Sequence, residues 1–285
     1  FVHIAILIGF YSILAMSLNL VVGFTGLLSV TQAAFYGIGA YVTAILLTAY
    51  GMNFFVAMII GVIVTGLISF AIGYVLSKFN GDYFALGSFG FNIIVFSIFL
   101  NWQSLTRGPL GIPGISKPVL FGFEFGDNYL YLILVVAFAL VVYFFSEFIT
   151  SSSFGRVLKA IREDDKAISV FGYNTLFFKL TIFVIGAMMA STAGALFASY
   201  ITYVDPSSFN LSESIFMLAI IILGGLANNK GAVMGAFCLI ILPEALRFVG
   251  FPTDVAAQMR QVTYGLILVL LMLYRPQGLL GEYKL

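Results

Sequence analysis

NFFVAMIIGVIVTGLISFAIGYVLSK, residues 53–78, ends on Lys78, the first formally charged side chain of the chain. A helix crosses a bilayer with about 20 predominantly apolar residues, since it rises about 1.5 Å per residue through a hydrocarbon core about 30 Å thick. This stretch meets that length, and nothing before it carries charge either: no Asp, Glu, Lys or Arg precedes Lys78. Such a sequence cannot coat a water-soluble surface. The whole chain of 285 residues is 61% hydrophobic and 9% charged, with a mean hydropathy of +1.10. Soluble domains carry about 25% charged residues. The reading is an all-α polytopic membrane protein, one transmembrane domain over residues 1–285.

Apolar stretches of spanning character recur at roughly 1–22, 29–50, 53–77, 83–101, 129–149, 177–200, 211–226, 231–249 and 261–274, which predicts about nine crossings. Three of them (29–50, 211–226 and 231–249) are short or dense in Gly, Asn, Gln or Thr and are open to a re-entrant reading. Orientation follows from Lys and Arg, which stay in cytoplasmic loops. Segment 150–176 holds Arg156, Lys159, Arg162 and Lys166 and is placed inside. Counting spans from there adds Lys78, Lys179, Lys230, Arg275 and Lys284, and leaves Arg107, Lys117, Arg247 and Arg260 outside. The acids divide evenly, so the bias sits in the basic residues, as the rule requires. Nine spans with an inside C-terminus start Phe1 outside, and the sequence opens without Met, a basic leader or a cleavage site. The expectation is a further span ahead of Phe1.

The outer segment 102–128 is broken by Gly108, Pro109, Gly111, Pro113, Gly114 and Pro118, which excludes a regular helix and predicts a compact external loop. Trp102 suits an interfacial anchor, and Asp205-Pro206 reads as turn chemistry. Cys238 is the only cysteine and His3 the only histidine, so neither a disulfide framework nor a metal cluster can form within the chain. Without a basic face to track phosphates, nucleic acid is excluded as a partner. No paired carboxylates, nucleophile constellation or GxxxxGK[ST] phosphate loop occurs, so neither catalysis nor ATP hydrolysis is assigned here.

Residues 151–174, SSSFGRVLKAIREDDKAISVFGYN, form the one strongly polar segment. Ser153 is the expected cap of a helix and Gly172 the residue past its end. Val157, Leu158, Ile161, Ile168 and Phe171 make one apolar stripe between them. Lys159–Glu163 and Arg162–Asp165 have the spacing of helical ion pairs, worth tenths of a kcal/mol each. The segment reads either as an amphipathic helix resting on lipid or as a docking helix for a cytoplasmic partner. Lipid-binding faces are rich in Lys and Arg. The mixed sign here, with Glu163, Asp164 and Asp165 in succession, tips the reading toward protein docking.

Inside the spans ionisable residues are nearly absent. Glu147, Arg247 and Arg260 lie near ends, and Glu244, after Pro243, reads as the deepest acid. A charge at the bilayer centre costs about 2.5–3.5 kcal/mol on insertion scales. Neutral spans therefore argue against proton- or sodium-coupled transport and suit an energy supply outside the membrane. Small and polar residues interrupt the apolar pattern twice, at Gly23, Gly26, Gly37 and Gly39 and again at Gly224, Gly225 and Gly231. Interruptions at corresponding places in two halves point to an internal inverted repeat around a central pathway. Asn19, Thr25, Gln32 and Asn92 are equally readable as pathway lining or as inter-helix hydrogen bonds. Gly186, Ala190, Gly194 and Ala198, four residues apart, read as a packing seam. Tyr36 reads as packing.

Residues Gly155-Arg156-Val157-Leu158-Lys159-Ala160-Ile161-Arg162-Glu163-Asp164-Asp165, through Gly172-Tyr173-Asn174 and Lys179-Leu180, resemble the coupling segment of LivM-type permeases of ABC importers for branched-chain amino acids. Leu18 to Gly26, Ser29, Ala33 to Tyr41, Gly81 to Leu86, Gly108 to Ile115, Gly224-Gly225, Gly231-Ala232 and Arg275 to Leu279 resemble further blocks of that family, in order along nearly the whole chain. The chain departs from the pattern at Thr31-Gln32, where Gly-His is frequent, and at Ile93 and Phe96 beside Asn92, where Glu and Arg are frequent. The resemblance implies an ABC importer permease fold in a bacterial inner membrane, with 151–174 as a cytoplasmic coupling helix. Gly155, Arg156, Lys159, Arg162, Glu163, Asp164, Asp165 and Gly172 would meet the ATPase. It implies a second related permease chain, two cytoplasmic ATPase subunits carrying ATP and Mg, and an external substrate-binding protein. This chain itself would bind no cofactor. Branched-chain or related small amino acids are the implied cargo, with urea or short amides as the alternative within the class. A self-contained channel is the remaining alternative.

Overall fold

The computed structural model describes residues 2–79, 81–120, 122–248, 265–266 and 277–280, with side chains of 120, 123 and 243–248 outside that description. Helices dominate. In chain order they are α1 (Val2–Leu18), prolonged by a π turn at Asn19–Gly23, α2 (Gln32–Tyr50), α3 (Phe54–Leu76), α4 (Asp82–Asn101), the single turn α5 (Gln103–Thr106), α6 (Asn128–Ser151), α7 (Ser153–Glu163), α8 (Asp165–Val170), α9 (Thr175–Ile201), α10 (Leu211–Gly224) and α11 (Asn229–Phe248). Val2–Gly23, α2, α3, α4, α6 and α9 are each long and apolar enough to cross a membrane. The chain is a multi-pass membrane protein.

The stretches predicted at 211–226 and 231–249 are α10 and α11. They form one pair bent by 117° at residues 225–228, a broken span or a re-entrant hairpin. The stretch predicted at 261–274 lies outside the described residues, apart from a helical Gly265–Leu266. Among the described residues the count is six spans, or seven with the bent pair taken as one.

α1, α2 and α9 form the centre, with α3, α6 and α11 packed around them. The seam predicted on α9 is what brings α2 close. A Cβ on Gly194 would stand against the Tyr36 carbonyl and 2.8 Å from the Ala40 nitrogen, and one on Gly186 would stand 3.0 Å from the Ser17 carbonyl of α1. Ala190 and Ala198 are fully buried between them. Gly37 and Gly39 belong to the same packing: they lie inside α2, under Phe209 and Ser191, and not at a break in the helix. Tyr36 packs edge-on to Phe209. Gly194→Val therefore forces two backbones apart, at an overpacking cost of about 1–3 kcal/mol. The expected result is a lower thermal unfolding midpoint in detergent, read by tyrosine and tryptophan fluorescence, with Gly90→Ala, helical and in open space, as the tolerated control for steric crowding.

Loops sort to two ends. At the loop end, Ile112–Pro113 (β1) pairs antiparallel with Tyr203–Val204 (β4), and Val119–Leu120 (β2) with Phe123–Glu124 (β3). Asn53 caps α3 through the Phe55 amide and donates to the Val119 carbonyl, tying the α2–α3 turn to this loop. At the other, basic end, residues 277–280 return to α10, where the Leu279 and Leu280 amides donate to Leu223 and Gly224.

Candidate permeation and coupling site

After the π turn, residues 24–25 are still helical and the chain then leaves helix for six residues, 26–31, so that the 24–31 segment runs back into the bundle. Irregular backbone at membrane depth survives only where protein satisfies its polar groups, and here side chains of two other helices, α4 and α10, do so. The Val30 amide donates to Ser88 Oγ at 3.1 Å, its carbonyl accepts from Asn92 Nδ2 at 2.7 Å, and the Ala33 amide donates to Ser214 Oγ at 2.9 Å. Asn92 Nδ2 also donates to Ser214 Oγ at 2.7 Å. Asn92, Ser88 and Ser214 are each fully buried. Asn92 is the middle of α4, roughly 15 Å from either end by helical rise, so this node lies deep in the bundle. Gln32, the first residue of α2, donates to Ser17 Oγ of α1.

The start of the break is fixed by a different set of contacts. Thr25 Oγ1 donates back to the Val21 carbonyl, and Gly26, at φ +73°, closes the end of the helix with its amide on Val22. The π turn moves Asn19 out of register with the helix above it, and its Oδ1 accepts from the Ala227 amide in the α10–α11 bend at 3.0 Å. That bend depends on glycine. A Cβ on Gly224 would enter the Gly231 carbonyl, so α10 and α11 touch there backbone to backbone. Asn228 Oδ1 accepts from the Lys230 and Gly231 amides, and Asn229 reaches Ser146 and Glu147 of α6. The two glycine-rich interruptions of the sequence thus meet at Asn19 and Ala227.

The polar segment lies against this meeting point. Two sequence expectations change. Ser152, not Ser153, caps α7, accepting from the Gly155 amide. The expected single helix is two, because Asp164 leaves helical geometry at φ −153° and its carboxylate caps α8 through the Ala167 amide. A side chain competing for backbone donors is why Asp favours such caps over helix interiors. Gly172, at φ +89°, stands past the end of α8 as expected. Gly155 lets α7 start close on α6, since a Cβ there would stand 2.7 Å from the Ile149 carbonyl.

From α7, Leu158 and Ile161 are buried under the bundle. Arg162 also turns inward: its guanidinium donates to the Gly23 carbonyl, and its Cγ fills the space beside Gly26. Lys159 lies over the Phe24 ring, 5.6 Å from its centroid. Asp165 takes Lys179 of α9 in an ion pair of 2.5 Å, with Lys179 only 5% exposed. Arg156, Glu163 and Asp164 face outward, exposed. A cleft of about 320 Å³ opens between α7 and the α10–α11 bend, lined by Phe24, Glu147, Lys159, Asn228 and Lys230 among others.

The reading of Glu244 as the deepest acid falls on a side chain outside the described residues. Among the described residues, an acid deeper than the span ends is Glu213. It sits in the first turn of α10, its carboxylate accepting from the Tyr11 hydroxyl at 2.5 Å. Because α10 starts inside the bundle, a residue that looks terminal in sequence is internal in space. Ser17, Ser88, Ser214, Glu213 and Asn229 carry much of this site and were not singled out by sequence. Ser88 and Ser214 had no signal beyond a polar residue in an apolar run. Asn210 followed three residues later by Glu213 is an N-cap pattern that could have placed the helix start. Among the described residues no group of His, Cys, Asp or Glu could hold a metal ion.

Residues 1–273 match the family described as branched-chain amino acid transport system, permease component. The chain is 35% identical over 98% of its length to the high-affinity branched-chain amino acid transport system permease protein LivM of Escherichia coli K12, covering 69% of that protein. It is 24% identical to the probable LivM of Methanocaldococcus jannaschii, over 96% of the chain and 91% of the relative. It is also 28% identical to E. coli LivH, over 95% and 91% respectively. No solved structure matches the chain at a significant level.

Proposed function

Because the chain belongs to the branched-chain amino acid permease family, we propose that it is the membrane-spanning subunit through which an ABC importer passes branched-chain amino acids into the cytoplasm. Its LivM-like and LivH-like relatives are permease components of such systems. A second, related permease chain is the expected partner, with two ATPase subunits carrying ATP and Mg at the basic end and a substrate-binding protein at the loop end. The bacterial inner membrane is the setting. We keep the finer fold reading as part of the proposal: about nine crossings in two inverted halves, with the breaks at 24–31 and 225–228 as corresponding features.

The observation that carries the mechanism is the inward contact of α7 on Gly23. A docked ATPase would grip the exposed Arg156, Glu163 and Asp164, and α7 would pass the movement to the 24–31 strap through Arg162. The strap ends on Asn92 and Ser214 in the middle of the bundle. A push at the surface thereby reaches the depth where a substrate must cross. The spans need supply no energy themselves.

The test is purification from the native membrane, in which ATPase subunits and a second permease chain should accompany this one. In liposomes the chain alone should pass no leucine down a gradient, while the assembly with binding protein and ATP should accumulate it. Passage by the chain alone would make it a facilitator and overturn the importer reading.

A further inference from the structure

Glu213 is a carboxylate in the middle of a membrane bundle with no lysine or arginine in ion-pair contact among the described residues. Its depth is set by its partner. Tyr11 is the tenth residue of the Val2–Gly23 apolar stretch, roughly 14 Å along the helix from Val2. Two groups beside the carboxylate present positive ends without a charge: the Tyr11 hydroxyl, and the first turn of α10, where Asn210 Oδ1 caps the Glu213 amide. An ionisable group placed so deep is a functional feature by default, and its natural complement is a cation.

The surroundings say which kind. Glu213 is only partly buried, and Ile215, two residues on, is 52% exposed. Phe216 packs edge-on to Tyr11 at 5.4 Å. The carboxylate is thus flanked by apolar surface, as a charged head attached to a branched apolar tail requires. From α4, Asn92 bonds Ser214 in the same first turn of α10, and its Oδ1 is buried without a hydrogen-bond donor although its Nδ2 is fully used. Exchanging the amide's O and N would set oxygen against the Val30 carbonyl, so the orphan is an acceptor in need of a donor. A carboxylate met by a single hydroxyl donor, with an unmet amide oxygen on the side chain that bonds the next residue, suits a group with N–H donors and no acceptors.

We propose that Glu213, held by Tyr11, receives the ammonium group of the amino-acid substrate midway across the membrane. This rests on the importer reading and assigns the residue that recognises the charged end of its cargo. In the complete importer reconstituted with binding protein, Glu213→Gln keeps the shape and the Tyr11 hydrogen bond and removes only the charge. Leucine transported per ATP hydrolysed should fall about ten-fold or more. Glu213→Asp should restore a large part of it, and Tyr11→Phe should lose less than Glu213→Gln. Co-purification of all subunits checks that each variant assembles. Glu213→Gln transporting like the unaltered protein would overturn the assignment. So would Glu213→Asp failing as badly as Glu213→Gln in an intact assembly, since shape and not charge would then matter. If the unaltered assembly moves no leucine, the importer reading fails instead, and the two failures are separable.

Discussion

Arg162→Ala in the assembled importer should cut ATP-driven leucine uptake by about ten-fold or more while the ATPase subunits still co-purify. The reason is direction. Arg162 points into the bundle, its guanidinium on the Gly23 carbonyl and its stem against Gly26. A charge-assisted hydrogen bond of this kind contributes about 1.5–3 kcal/mol, enough to decide whether two elements move together. Removing it leaves the outer face of α7 intact, so binding should persist while transmission fails, and ATP would be hydrolysed without transport. Arg156→Ala combined with Glu163→Ala should do the reverse, weakening capture of the ATPase because those side chains are exposed. Arg162→Ala with Glu163→Ala should lose both properties. Uptake per ATP and subunit recovery, measured on the same preparations, separate the three. Uptake in Arg162→Ala equal to that of the unaltered protein would end the transmission argument.

This division of labour was half visible in the sequence. Apolar length located α1, α3, α4, α6 and α9 to within a few residues, because a span is defined by a simple requirement that its residues satisfy locally. The polar segment was equally plain, being the one place where charge is dense. Which of its charges face in was not legible. A helical stripe assigns Leu158 and Ile161 to the buried side, yet Arg162 is long enough to bury its stem and carry its head to a backbone carbonyl. The break at Asp164 was hidden because an apolar period continues across it to Ile168.

The interior site was legible only as residue types. Asn19, Gln32 and Asn92 stood out as amides in apolar runs, and each makes an inter-element hydrogen bond: to Ala227, Ser17 and Val30 respectively. Their partners are backbone groups and serines, which carry no pattern of their own. Glu213 was obscured for a topological reason. A short helix that begins inside the membrane puts its polar first turn where sequence counting puts the surface end of a span. At 14 residues, α10 is too short to cross alone, and that length was the available clue.

Asn92→Leu should be the most damaging substitution to the fold itself. Leucine keeps the branched shape of asparagine, but two hydrogen bonds go and its methyls need more room than the amide, which sits 2.7 Å from each acceptor. The Val30 carbonyl then has no side-chain donor in a region without bulk water, and Ser214 loses one of its two donors. A buried acceptor left unmet costs about 1–3 kcal/mol in soluble proteins, and more at membrane depth. The expected loss is about 2–4 kcal/mol, a fall of roughly 5–15 °C in the detergent unfolding midpoint for a chain of this size. Asn92→Asp should be at least as harmful, because it sets carboxylate oxygen against carbonyl oxygen. Serine at this position should fall between, with one donor on a shorter arm. A midpoint for Asn92→Leu within about one degree of the unaltered protein would contradict the argument, since it would mean that the 24–31 strap is held by something other than Asn92. If the strap is instead loosened as expected, uptake falls with it, because the inward contact of Arg162 would then pull on a segment with no fixed far end.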